Sequence, residues 1–164
     1  MTKRRTPAGA PRRRRRRAVG TTADVAVALR YVESSALVAA LLERDSAARA
    51  AIRGPGRRVS SSLTLAEATR AVIRARATGR LTAADERAAV RALQVFARRC
   101  DLVSVTDAVL ARAARPCPVE PIRTLDAVHL ATVEQLGEPP ALITIVTRDA
   151  RVRENARVLG YATE

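Results

Sequence analysis

From residue 25 onward the chain switches repeatedly between two hydrophobic periods. Residues 25–32 are apolar at nearly every position, the pattern of a strand buried on both faces of a parallel sheet. Ser34 and Ser35 then stand where helix caps are needed, and Ala36, Leu37, Val38, Leu41 and Leu42 follow as an inward-facing set. A second short helix is expected over 46–53, and Gly54-Pro55-Gly56 breaks it. A strand is expected over 58–61 and a helix over 63–77, ended by Gly79. Thr82 opens another helix, with Asp85 and Glu86 in the first turn, where negative charge suits the helix dipole. Its apolar positions Ala89, Val90, Leu93 and Ala97 repeat at helical spacing. Next come a strand over 101–105, a short helix over 106–114, and a loop over 116–121 whose three prolines forbid a helix. Thr124 is expected to cap a helix reaching about residue 136. Residues 142–146, Leu-Ile-Thr-Ile-Val, form the clearest strand, and Asp149 caps a last helix ending near Gly160. Strands alternating with helices predict an α/β fold: a three-layer α/β/α sandwich around a mostly parallel sheet.

Composition narrows the class. A chain of 164 residues suits one domain, with 48% apolar residues but only 2% aromatic, so Ala, Val, Leu and Ile must build the core. No apolar run approaches the ~18 residues of a membrane span, and the basic N-terminus leads into more arginine rather than a signal-peptide apolar region. A cytoplasmic location is the expectation. Cys100 and Cys117 lack metal-ligand spacing and read as reduced thiols.

The net charge of +14 is unevenly spread. Residues 1–17 hold nine basic groups and no acid, which leaves +5 for the rest of the chain. That remainder is modestly basic, compatible with a polyanionic partner. Residues 1–24 read as a disordered Arg-rich leader ahead of a folded domain over 25–164. A solvated tail, or a start codon assigned too far upstream, is preferred here over an arm that grips RNA phosphates. Arginine outnumbers lysine 29 to 1, which with the abundant Ala and Val reflects GC-rich coding.

Ligands of an open parallel sheet bind beyond the carboxyl ends of its strands. Four acids occupy such positions. Glu33 directly ends the first strand, Glu67 lies in the first turns of the helix after the second, Asp126 lies in the first turn of a later helix, and Asp149 follows the best strand. Singly, Asp126 and Asp149 suit helix N-termini, and Glu67 suits a solvated helix face. Glu33 is harder to explain that way, because an acid on a buried strand end needs a partner. Together, four carboxylates around one pocket would repel unless a cation neutralised them. An oxygen-only donor set favours a hard ion, Mg2+ or Mn2+.

The segments carrying these acids resemble a PIN domain, and within that family a VapC toxin of a toxin–antitoxin pair, over residues 27–162. Glu33-Ser34-Ser35-Ala36-Leu37-Val38 is similar to the family's opening Asp-(Thr/Ser)-Ser-Ala-Leu-Val. Glu67 matches the early helical Glu, Asp126 to Ala131 the Asp-Ala-x-His-Leu-Ala segment, and Thr147-Arg148-Asp149 the closing Thr-x-Asp. The resemblance implies a PIN-like sandwich and Mg2+-dependent hydrolysis of RNA phosphodiesters. It implies Glu33, Glu67, Asp126 and Asp149 as the metal-holding catalytic acids, Asp126 and Glu33 foremost as direct ligands. Ser35 and Thr147 are placed to hydrogen-bond those carboxylates, with helix capping as their equal alternative. His129 reads as a packing residue among Val128, Leu130 and Ala131, and Arg123, Arg148 and Arg151 as contacts for RNA phosphates. The implied partners are a VapB-like antitoxin and a second copy of the chain. Glu33 stands where the family usually has Asp, which keeps a second reading open: a PIN domain that binds RNA or antitoxin without cutting. A third is a basic nucleic-acid-binding protein driven by the arginine arm.

Overall fold

The computed structural model describes residues 28–164, and the leader expected over 1–24 lies outside them. Five strands form one parallel sheet: β1 (Leu29–Val32), β2 (Arg57–Ser61), β3 (Asp101–Val103), β4 (Ile143–Val146) and β5 (Ala162–Thr163), in the order β3-β2-β1-β4-β5. Among the described residues seven α-helices accompany them: α1 (Ser34–Leu42), α2 (Ser46–Arg53), α3 (Ser62–Ala77), α4 (Ala83–Arg98), α5 (Asp107–Ala113), α6 (Thr124–Glu134) and α7 (Ala150–Val158).

The period-two alternation of β1 divides the core. Leu29 and Tyr31 face one layer, with Ala127, Leu130 and Val133 of α6 and Val152 and Ala156 of α7. Val32 faces the other, with Leu37 of α1, Ala68 and Val72 of α3, and Ala89 and Leu93 of α4. This is the expected α/β/α sandwich, built largely from small aliphatic side chains. Arg30 shares the face of Val32. Only 4% exposed, its guanidinium donates to the Ala51 and Pro55 carbonyls and to both carboxylate oxygens of Glu164.

Strand order sets the position of a site. From β1 the chain steps outward to β2 and β3, then crosses back to β4 on the other side of β1 and on to β5. The order therefore reverses between β1 and β4, whose registers pair Leu29 with Ile143 and Val32 with Val146. Helices leave these two strands in opposite directions, which opens a crevice at their carboxyl ends.

Several local expectations need correction. Ser34 and Ser35 lie inside α1, and Glu33 is its N-cap, accepting from the Ser35 amide. Thr124 is the first residue of α6, after Arg123, which caps without a side-chain hydrogen bond. The third strand stops at Val103, and Leu142 belongs to a 3-10 turn, Pro140–Leu142, because Pro140 opens a tight turn there. Val90 is 37% exposed, on the rim of the α4 stripe rather than within it. The two-residue β5 was not expected, since so short an edge strand has no period to detect. Asp149 and Thr82 do cap their helices, Thr82 through a reciprocal box with Asp85. Cys100 and Cys117 are free thiols.

Candidate functional site

Glu33 continues β1 directly: its amide donates to the Val146 carbonyl at 3.0 Å, so the residue is fastened to β4. Its carboxylate is 3% exposed overall and is met by four donors. Oε1 accepts from Ser34 Oγ at 2.7 Å and the Ser35 amide at 3.0 Å. Oε2 accepts from Thr147 Oγ1 at 2.8 Å and from Ser35 Oγ. An ionised carboxylate has about four lone-pair sites, so these donors offset most of the burial penalty.

Ser35 and Thr147 tie the two strand ends together. Ser35 Oγ accepts from the amides of Arg148 (2.8 Å) and Asp149 (3.0 Å), and Thr147 Oγ1 accepts from the Asp149 amide at 3.0 Å. Asp149 caps α7 through Oδ1, which accepts from the Arg151 and Val152 amides. The loop after β4 is thus knitted to the start of α1 by hydroxyl groups. Arg148 adds an outer tie, its Nε 2.7 Å from Asp45 Oδ2, so this arginine is engaged within the protein rather than free on the rim.

Asp126 enters from α6. Its Oδ2 is buried and has no hydrogen-bond partner among the described residues. Burial, then the charges of Asp149 and Glu33, push its carboxyl above the usual range, with Arg123 and His129 opposing. Three carboxylates from three elements therefore act on one another across the crevice between β1 and β4.

Glu67, from α3, completes the set. Burial tends to raise its carboxyl, but the hydrogen bond and charge of His129, with help from Ser34, outweigh burial and hold it below the usual range. Donor atoms of Glu33, Glu67 and His129 lie within 4.8 Å of one another. His129 itself corrects the packing expectation. At 1% exposure it is buried, but both ring nitrogens are engaged: Nε2 is 2.7 Å from Glu67 Oε2, and Nδ1 is 2.8 Å from the Tyr31 hydroxyl. Its apolar neighbours in the chain hid this, although the i+3 spacing from Asp126 places it on the same side of α6.

Of the residues singled out in the sequence, Ser35 and Thr147 bond Glu33, Glu67 lies within ligand range of Glu33, and Asp126 feels the charges of Asp149 and Glu33, although Asp126 and Asp149 are not in the group of donor atoms within 4.8 Å. The donor set fits a hard divalent cation: oxygen ligands, excess negative charge, and in Asp126 Oδ2 a buried acceptor that no donor among the described residues reaches.

Comparison with known proteins agrees with this geometry. The family model described as PIN domain matches residues 30–158. Ribonuclease VapC46 of Mycobacterium tuberculosis (strain ATCC 25618 / H37Rv) is 40% identical over 134 residues, spanning 80% of this chain and 93% of that protein. Ribonuclease VapC35 of Mycobacterium tuberculosis (strain CDC 1551 / Oshkosh) is 36% identical over 136 residues, with the same coverage of 80% and 93%. Among solved structures, VapBC-1 from nontypeable Haemophilus influenzae superposes with a TM-score of 0.52 over 83% of this chain and 96% of that one. At 13% identity, this is a likeness of fold.

Proposed function

The chain belongs to the PIN domain family, and from that premise we propose that it is a divalent-metal-dependent ribonuclease, the toxin of a toxin–antitoxin pair, acting in the cytoplasm. The observation that carries the reading is the buried Oδ2 of Asp126, without a hydrogen-bond partner among the described residues, on a carboxyl that burial and the charges of Asp149 and Glu33 push upward. Asp126, Asp149, Glu67 and Glu33 are the residues that would hold Mg2+ or Mn2+. Such an ion, when bound, lowers the pKa of a water and neutralises charge at a phosphoryl oxygen.

The chain's own groups do the rest. Ser35 and Thr147 fix the Glu33 carboxylate, so that the negative pocket keeps its shape while substrate enters. Arg123, at the start of α6, and Arg151, in the first turn of α7, are exposed beside Asp126 and Asp149 and suit contacts to the RNA backbone. The attacking water oxygen forms a bond to phosphorus as the ester P–O bond breaks; the water gives up one proton to solvent and the leaving oxygen takes one from solvent, so the protons balance.

A VapB-like antitoxin and a second copy of the chain are the proposed protein partners. Two surface clefts suit them. One, of about 360 Å3, has Leu37, Leu41, Ile52 and Phe96 in its wall and Arg49 and Arg53 at its rim. The other, of about 420 Å3, lies between α5 and α6 beside the exposed Leu110.

A second reading is favoured by the four donors on Glu33: a domain that binds RNA or antitoxin without cutting. Incubating the purified chain with labelled RNA in Mg2+, in Mn2+ and in EDTA separates the two. Cleavage that requires the ion and is lost in Asp126→Asn supports the nuclease. Cleavage in EDTA, or cleavage indifferent to that substitution, overturns it, and RNA retention without cleavage favours the binding domain.

A further inference from the structure

We infer that Tyr31 and His129 form a buried positioning pair that aims Glu67 into the carboxylate pocket, with His129 serving as a hydrogen-bond donor and not as a metal ligand. The inference rests on the reading of Glu67 as one of the acids that hold the ion.

Three elements meet at this pair. Tyr31, on β1, is fully buried, and His129, on α6, is 1% exposed. Their rings meet edge to face, with centroids 6.0 Å apart and planes at 71°. Glu67 reaches them from α3 with a side chain that is 23% exposed. A histidine this deep needs partners for both nitrogens, and it has one for each.

The chemistry of the partners assigns the proton. An ionised carboxylate only accepts, so the 2.7 Å contact from His129 to Glu67 Oε2 requires a hydrogen on Nε2. Nδ1, 2.8 Å from the Tyr31 hydroxyl, accepts from it in a neutral ring and donates to it in an imidazolium, and either arrangement keeps the hydrogen on Nε2. A nitrogen that carries a hydrogen has no lone pair for a metal. Glu33, Glu67 and His129 have the spacing of a possible three-ligand site, but Nε2 is spent on Glu67 and stands 3.8 Å from Glu33 Oε1. Tyr31 thus holds the far side of the ring, the ring turns Nε2–H toward Glu67, and that bond selects one rotamer of a long, part-exposed side chain. Loss of such a supporting partner typically weakens metal binding by roughly 10–100-fold.

His129 is the chain's only histidine, so a long-range 1H–15N spectrum of 15N-histidine-labelled protein shows a single imidazole. The expected result is a proton on Nε2 both without ion and with saturating Mg2+. An Nε2 that is unprotonated, or that loses its proton as Mg2+ is added, overturns the inference. Mn2+ affinity, read by electron paramagnetic resonance, gives a second arm on variants shown by circular dichroism to be folded. His129→Gln keeps a donor near the place of Nε2 and should bind Mn2+ within roughly threefold of the parent, whereas His129→Leu should lose roughly 10–100-fold. Equal losses in the two variants would make His129 a ligand, and no loss in His129→Leu would remove it from the site. A Glu67→Gln control keeps the premise separate. Undiminished Mn2+ affinity there overturns the role of Glu67 in holding the ion, whatever the nitrogen spectrum shows.

Discussion

Thr147 Oγ1 donates a 2.8 Å hydrogen bond to Glu33 Oε2 across 114 residues of chain, in a region closed to solvent. This contact helps join the carboxyl ends of β1 and β4 and is one of four donors that orient the most buried acid. Thr147→Val keeps the shape and removes the donor. A hydrogen bond to a buried charged group is worth about 1.5–3 kcal/mol. Urea denaturation should show a loss in that range, together with reduced RNA cleavage, and Thr147→Ser should recover much of both.

Asp126 is expected to trade stability for function. Its carboxyl is raised by burial and by the neighbouring charges of Asp149 and Glu33. A raised folded pKa means the native state holds the proton more tightly than the unfolded chain. Stability therefore falls as pH climbs from the ordinary Asp range through the folded value, and the penalty is complete above it. Asp126→Asn removes the penalty. Thermal unfolding of metal-free protein at neutral pH should show a higher Tm for the variant. Mg2+ should raise the Tm of the parent, by mass action, and leave the variant nearly unmoved.

Asp45 gives the opposite sign. The hydrogen bond from Arg148, then that from the Ala48 amide, lowers its carboxyl to about 2. A depressed folded pKa contributes stability that is fully present above the unfolded value near ~3.9 and is lost as pH falls through about 2. Asp45→Asn should therefore be less stable than the parent at pH 6, and the gap should close as acid titration approaches pH 2. Chemical denaturation at a series of pH values tests this.

Arg30 is the buried cation of the opposite core layer. Arg30→Met removes donors from the Ala51 and Pro55 carbonyls and from Glu164, and should cost about 2–4 kcal/mol in denaturant unfolding. Glu164→Gln should cost about 1 kcal/mol or less, because that side chain is 46% exposed and the two carbonyls still hold the guanidinium. Gly54→Ala should also destabilise, since a Cβ there falls 2.5 Å from the Arg30 guanidinium carbon, which four hydrogen bonds keep from moving.

The sequence by itself determined what depends on neighbours in the chain. Hydrophobic period, the Thr82 and Asp149 caps and the Gly-Pro-Gly break place most elements within a residue or two of their observed bounds, because these signals act over one or two helical turns. The four acids stood out for the same reason, each lying next to a strand end or a helix start. Tertiary structure alone decided what depends on strand order. Only the reversal between β1 and β4 brings Glu33 against Thr147 and Asp149, and only α6 packing over β1 sets His129 between Tyr31 and Glu67. A side chain surrounded in sequence by Val, Leu and Ala carries no local mark of a polar partner 62 or 98 residues away. Its role follows from the satisfaction of buried hydrogen-bonding groups, a condition set by the whole fold.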